Sequence, residues 1–207
     1  AEGLGAELTA GRQAAAEQMS AAVAEELSVL AMAGADLQVR LEPRPEPGEH
    51  GAEDVQFLLT AHPGAPPRPL GKGASGGELS RVMLAIEVAL ARSRVSSAQS
   101  LPAFVFDEID AGVGGRAAVE VGRRLAELAR HTQVIVITHL AQVAAFADKH
   151  LVVTKRTDGR SVTNSDIEYV RGPERETELA RMLSGEEESD TARQHAAELL
   201  ERTHVRP

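Results

Sequence analysis

The sequence predicts an α/β fold with a parallel-sheet core, an N-terminal β-hairpin and a helical appendage. Three observations lead there. Two short apolar runs, Ala103-Phe104-Val105-Phe106 and Val134-Ile135-Val136-Ile137, have the length of buried strands. Between them Ala118, Val121, Gly122, Leu125, Leu128 and Ala129 recur at helical spacing. Strand, helix and strand in that order make a βαβ unit with parallel strands and a right-handed crossover. Upstream, Leu37 to Leu41 alternates and Val55 to Thr60 reads as a second strand, so the two are expected to pair as a hairpin.

Taken in order, residues 1–33 are Ala- and Glu-rich and free of proline. Leu4, Leu8, Ala15, Met19, Ala22, Val23, Leu27 and Leu30 predict an amphipathic helix, either the end of a coiled coil or an ordinary surface helix. Residues 34–207 form the remaining α/β part. Pro43 to Asp54, with three prolines, reads as a polar loop. His62 to Ala74 reads as a second, since its four prolines and three glycines are too many breakers for a core element. Leu79, Val82, Met83, Ile86, Ala89 and Leu90 mark one face of a helix ending near Ser93. A Ser-rich loop follows, then the βαβ unit. A short helix (Ala141 to Phe146), a strand (Leu151 to Lys155), a turn at Asp158-Gly159 and an edge strand (Ser161 to Val170) come next. Two helices, near Glu174 to Leu183 and Thr191 to Arg202, end the chain.

Composition narrows the function. The 207 residues carry no cysteine, which excludes a disulfide scaffold and a thiolate zinc site. No apolar run approaches the ~20 residues of a membrane-spanning helix. The net charge is −9 and aromatics are 2% of the chain, being Phe57, Phe104, Phe106, Phe146 and Tyr169. Both argue against a nucleic-acid reader acting alone, because backbone contact needs basic surface and single strands need stacking rings.

Four features carry chemistry, and each has an ordinary alternative. First, the strand Phe104-Val105-Phe106 runs into Asp107-Glu108. Ligands of open parallel sheets bind at strand C-termini. There one carboxylate can hold Mg²⁺ through water and the next can deprotonate an attacking water. The alternative is a polar strand end. Second, Ala74-Ser75-Gly76-Gly77-Glu78 opens a helix. Ser75 and Glu78 have the spacing of a capping box. A box does not need Gly76-Gly77, which suggest bare amides open to an anion at the helix start. Third, Thr138-His139 follows the second buried strand, where a His could bond a terminal phosphate or simply be exposed. Fourth, Asp110-Ala111-Gly112-Val113-Gly114-Gly115 is a glycine-rich loop or a turn and helix cap.

In combination and order the four resemble the ABC-type ATPases: signature motif, Walker B, D-loop and switch histidine. The wording is closest to the SMC-like DNA-repair members of that class, carried by "ASGGELSRVMLAIEVALA", "FVFDEIDAGVGGRAA" and "VIVITHLAQVAAFADKHLVVTK". The resemblance covers roughly residues 35–200. ABC transporters usually place Pro after the Walker B Glu, and SMC proteins usually read "LSGGE"; this chain does neither.

The resemblance implies the C-terminal lobe of an ATPase head using ATP and Mg²⁺. Asp107 would serve the metal, Glu108 the attacking water and His139 the γ-phosphate. Ser75, Gly76, Gly77 and Glu78 would face the nucleotide of a second protomer, with Asp110 at that interface. The helix of residues 1–33 would be the end of a coiled-coil arm. Implied partners are an N-terminal P-loop half of the same polypeptide, a second copy through the heads, and DNA through the full protein; no membrane is implied. A bacterial, cytoplasmic, nucleoid-associated place and a role in double-strand-break repair and recombination follow from the same likeness. The alternatives are the head of another ABC-class ATPase and a non-catalytic interaction domain.

No Gly-x-x-x-x-Gly-Lys-Ser/Thr occurs. Gly71-Lys72-Gly73 lacks the first Gly and the final hydroxyl, and Ser184-Gly185-Glu186 lacks the second Gly of a signature and reads as a loop. His131, His139 and His150 lack zinc spacing. Arg92, Arg94, Arg123 and Arg124 read as solvated. A start at Ala1 and not at Met accords with a piece of a longer chain. The chain alone is therefore expected to turn over ATP negligibly, and calorimetry with Mg-ATP should detect no binding tighter than millimolar. Micromolar affinity would contradict the half-site reading.

Overall fold

Without proline, the Ala- and Glu-rich start winds into one helix, α1 (Glu2–Val29). The computed structural model describes residues 2–72, 74–93, 102–158, 162–185 and 189–204. Gly73, Arg94, the Ser-rich loop, Gly159, Ser161 and Glu186 lie outside the described residues. The expected apolar stripe is buried only toward the end of α1 and just past it, at Val23, Leu27 and Leu30, while Leu4 and Leu8 are exposed. Two compact units divide the chain, residues 1–113 with 127–137 and residues 114–126 with 138–207. Among the described residues, no helix is long and apolar enough to cross a membrane.

In the first unit the hairpin is longer than the proline content suggests. Strands β1 (Asp36–Gly48) and β2 (Gly51–Thr60) pair antiparallel from Asp36↔Thr60 to Gly48↔Gly51, leaving only Glu49 and His50 at the tip. The expected loop from Pro43 to Asp54 is thus mostly strand. The register shifts between Pro43 and Gly48, and β1 is an edge strand, the two places where a strand tolerates prolines such as Pro43, Pro45 and Pro47. The tip is tied to α1: Arg12 pairs with Glu53 at 3.1 Å and donates to His50 O at 2.5 Å, and Thr9 donates to Glu53. A two-residue strand, β3 (Arg68–Pro69), pairs with β2 inside the second expected loop.

Helix α2 (Gly76–Ser93) packs on α1. Its buried residues, Val82, Leu84, Ala85, Ile86, Val88 and Ala91, form a wider face than the expected stripe. Met83, assigned to that stripe, is 38% exposed. With Leu79, Ser80, Glu87 and Phe104 to Phe106 it lines an open groove of about 260 Å³. Strands β4 (Phe104–Phe106) and β5 (Val134–Val136) pair in parallel, Phe104↔Val134 to Phe106↔Val136, as the βαβ reading requires. The expectation that both are fully buried fails: Val105 is 65%, Ile135 47% and Ile137 58% exposed. A two-stranded sheet has too little covering chain here to close both faces, as parallel sheets otherwise do.

The second unit holds most of α3 (Gly115–Leu128), α4 (Ala141–Ala144), β6 (His150–Asp158), β7 (Val162–Val170), α5 (Pro173–Ser184) and α6 (Asp190–His204). Helix α5 ends on Gly185 at φ +77°, so Ser184, expected in a loop, is instead the last helical residue and Gly185 its cap. Ala141, Ala144, Ala145, Leu179, Ala180, Ala196 and Leu199 form the core of this unit. Arg175 closes the end of α4, donating to the carbonyls of Ala144, Ala145 and Ala147 at 3.2, 3.0 and 2.7 Å. Burial, and then the charge of Arg175, hold the nearby His150 below the ordinary histidine range. Strands β6 and β7 pair Leu151↔Tyr169 and Val153↔Ile167, and all four side chains are exposed.

Gly122 of α3 lies so close to α4 and the residues just after it that a Cβ would fall on the Phe146 ring and 3.0 Å from Gln142 O. Gly122→Ala should therefore destabilise the chain by ~1–3 kcal/mol in urea unfolding. At an open helical site the same change would stabilise it by ~0.5–1 kcal/mol.

Candidate functional site

The site is built on the first turns of α2 and the segment leaving β4. Ser75 is the N-cap: its carbonyl accepts the first helical bond from Leu79 N at 2.9 Å. Glu78 Oε2 accepts from Ser75 N at 2.8 Å and from Ser75 Oγ at 2.9 Å, and Glu78 N donates to Ser75 Oγ at 3.3 Å. The capping box is thus formed. The Ser75 backbone bond first, then the Ser75 hydroxyl, hold the Glu78 carboxyl below its ordinary range, with Arg81 and His62 adding to the effect against partial burial.

The glycines do something the box does not need. Gly77 is buried, and a Cβ there would meet Ala111 Cβ, Glu108 O and Ala111 O at 2.9–3.1 Å. A Cβ on Gly76 would run into Glu108 Oε2. Both glycines therefore permit the helix start to lie directly against the 108–111 segment. Close approach within the chain is thus a reason for both glycines that the sequence alone does not disclose.

Asp107 follows β4 directly and is exposed; its Oδ1 accepts from Glu108 N at 3.0 Å. Glu108 is exposed and has φ +57°, one of two non-glycine residues with positive φ among those described. Such a backbone costs about 1–3 kcal/mol and persists where surrounding structure enforces it, commonly at functional sites. Here it begins the sharp bend that follows β4. Ala111 N bonds Glu108 O at 3.0 Å and Val113 N bonds Asp110 O at 3.1 Å, so the glycine-rich loop opens as a tight turn. Asp110 is buried, at 3% exposure.

Two further α2 residues, unremarked in the sequence, grip this segment. Ser80 Oγ donates to Asp107 O at 2.8 Å. Arg81, 6% exposed, donates through one nitrogen to Ile109 O at 3.3 Å and Ala111 O at 2.9 Å. Burial pushes the Arg81 guanidinium down from its ordinary value while Glu78 opposes this; arginine stays charged regardless. A signal existed in the sequence: a cation at the interior of an otherwise apolar helix face. It was indistinguishable there from a snorkelling surface arginine.

Ser75, Gly76, Gly77, Glu78, Asp107, Glu108 and Asp110 all fall in the first unit. His139 falls in the second and is exposed. The backbone around it is shaped by Leu140 N donating to Thr138 Oγ1 at 3.1 Å. Among the described residues no cluster of three or more His, Asp or Glu could hold a metal by itself.

No family model matches the chain. Among curated proteins it is 53% identical to the DNA repair protein RecN of Streptomyces coelicolor, over 96% of the chain and 36% of that protein. It is 48% identical to RecN of Mycobacterium tuberculosis, over 92% of the chain and 34% of the relative. To RecN of Deinococcus radiodurans it is 43% identical over 95% and 33%. The chain thus spans about a third of the length of these relatives. Among solved structures it resembles the Smc head domain with a coiled coil and joint from Pyrococcus yayanosii. That match has TM-score 0.56 and 23% identity, over 81% of this chain and 29% of that one. The Smc head domain from Pyrococcus furiosus, solved with an extended coiled coil and bound to the C-terminal domain of ScpA, gives 0.51 and 25% over 74% and 35%. These structural likenesses establish the fold as that of SMC head domains.

The capping box sets a test of its own. Ser75→Ala removes the cap and should cost about 1 kcal/mol near neutral pH. Because the folded pKa of Glu78 is depressed, its contribution is present above the ordinary carboxylate range and lost as pH falls through the lower folded value. The gap between wild type and Ser75→Ala in urea unfolding should therefore narrow between pH 7 and about pH 3. A constant gap would mean that the hydroxyl acts without Glu78.

Proposed function

The chain belongs to the RecN family of DNA repair proteins, and from that premise we propose that it is the C-terminal lobe of a Mg²⁺-dependent SMC-like ATPase head. The observation that carries this reading is the packing of the Ser75–Glu78 helix start against a strand-end Asp-Glu pair whose second member has φ +57°. A phosphate-facing helix start and a base-bearing strand end are the two things ATP hydrolysis asks of such a lobe.

Asp107 is the residue that holds the metal, and the exposed carboxylate at the end of a parallel strand fits a hard cation that keeps its water. When bound, Mg²⁺ neutralises phosphate charge. Glu108 takes the proton of the attacking water, and His139 bonds the γ-phosphate. Ser75, Gly76 and Gly77 present the helix start to the nucleotide of a second protomer. Asp110 is buried, so what it offers at that interface is the turn around it and not a free carboxylate.

The exposed apolar surfaces support a missing half. Val105, Ile135 and Ile137 in the first unit, and Leu151, Val153, Ile167 and Tyr169 in the second, each make an open sheet face. The groove of Leu79, Met83 and Phe104 to Phe106 adds to the first. An N-terminal P-loop half of the same polypeptide is the occupant these faces fit, since about two thirds of each relative lies outside the span of this chain. Helix α1 is then the end of a coiled-coil arm, residues 1–33, and residues 34–207 the lobe. DNA is engaged by the whole protein in repair and recombination, in the bacterial cytoplasm. With a net charge of −9 this lobe contributes little of the backbone affinity.

In the full-length protein Glu108→Gln should retain ATP binding and lose ~10²–10⁴ in kcat, because the amide cannot take the water's proton. Asp107→Asn should instead weaken Mg²⁺-dependent nucleotide binding, measured by titration with and without the metal. Normal turnover by Glu108→Gln would remove the general base and favour a non-catalytic lobe.

A further inference from the structure

We propose that Arg81 is a positioning residue for the carboxylate segment. Its guanidinium, projected from the second turn of α2, holds the 108–111 turn in the conformation that aims Glu108, so that the helix start and the Glu108 carboxylate move as one body. The inference rests on the ATPase reading of Glu108.

Arg81 is a cation at 6% exposure, and its Nε has no hydrogen-bond partner. Buried charge is costly, and an apolar side chain of the same volume packs as well or better. The charge must therefore do something that packing does not. What it does is visible: one nitrogen bridges Ile109 O at 3.3 Å and Ala111 O at 2.9 Å, the two carbonyls on either side of Asp110. Turning both carbonyls onto one donor fixes the peptide planes that follow residues 109 and 111. The turn they belong to is closed by Ala111 N to Glu108 O. Its first residue is Glu108, held at φ +57°.

The rest of the contact completes the grip. Ser80, the residue before Arg81, holds Asp107 O at 2.8 Å. Gly77, one turn earlier, lies against Ala111 and the Glu108 carbonyl. Segment 107–111 is thus held at its start by Ser80 and toward its end by Arg81, with Gly77 against Glu108 O and Ala111. Both ends are fastened to the helix whose first residues are Ser75 to Glu78. Without Arg81 the far end is released, and Glu108 loses the constraint that keeps it left-handed. A displacement of a reacting group by about 1 Å costs on the order of 10²-fold in rate. Asp107, which the ATPase reading gives to the metal, is fastened by Ser80 and not by Arg81, so metal-dependent nucleotide binding should change less than turnover.

The test uses the full-length protein and three variants. Arg81→Met keeps volume and removes both hydrogen bonds. Arg81→Lys keeps the charge and one compact donor. Glu108→Gln reports on the underlying reading. ATPase kinetics are measured per folded molecule, and amide hydrogen exchange is followed over residues 107–113. The expected result is a graded loss of kcat, severalfold for Arg81→Lys and about 10–100-fold for Arg81→Met. KM for ATP should stay within about twofold, and exchange should quicken at residues 108–113 alone. Wild-type kcat in Arg81→Lys and Arg81→Met overturns the proposal. So does a loss that vanishes when scaled to the folded fraction, which makes Arg81 a packing residue only. Should Arg81→Met not fold, Arg81→Lys decides alone: a lowered kcat at unchanged KM supports the role, and an unchanged kcat overturns it. If Glu108→Gln retains full turnover, the ATPase reading fails first, whatever Arg81 does.

Discussion

The close approach of α2 to the segment leaving β4 is the contact on which the site depends. It is possible only because Gly76 and Gly77 carry no side chain where Glu108 and Ala111 arrive. It is held because Ser80 and Arg81 satisfy three carbonyls of a turn that makes few bonds of its own. Its consequence is a general-base candidate in a backbone conformation that an isolated strand end does not adopt. Steric absence, hydrogen bonding and strain meet within two turns of one helix.

The same economy explains the open surfaces. A parallel pair of strands is stable when helices or further strands cover both faces. Here Val105, Ile135 and Ile137 stay exposed. The β6–β7 hairpin in the second unit shows the same asymmetry, with Leu151, Val153, Ile167 and Tyr169 aligned by register on one face. Apolar patches of that kind on sheet faces belong to buried interfaces more often than to free surface. A lobe that completes a larger head has this character by necessity.

The elements themselves were legible in the chain because their periodicities are local. The βαβ order, the α2 helix and the capping box each depend on residues a few positions apart, and all three are formed. The proline-rich stretch after Leu41 misled for a physical reason. Proline forbids a central strand but not an edge one, and edge position is a property of the sheet and not of the segment. The stripe on α2 misled similarly: Met83 matched the period but faces a groove, since which faces of a helix are covered depends on what packs around it. Strand burial was overread for the same reason, because an apolar run reports the need for cover and not its presence in the chain.

Residue types and order alone determined the chemistry offered here: a Ser-Gly-Gly-Glu helix start, an Asp-Glu strand end, a glycine-rich turn and a following His. Those are covalent facts, and they sufficed to indicate the class of ATPase head. Tertiary structure decided how the pieces are used. It turned the glycines toward Glu108 and Ala111, buried Asp110, and drew Arg81 out of solvent onto the carbonyls of Ile109 and Ala111. None of these follows from sequence spacing, because each joins positions about 30 residues apart whose meeting is fixed by the packing of α2 beside β4.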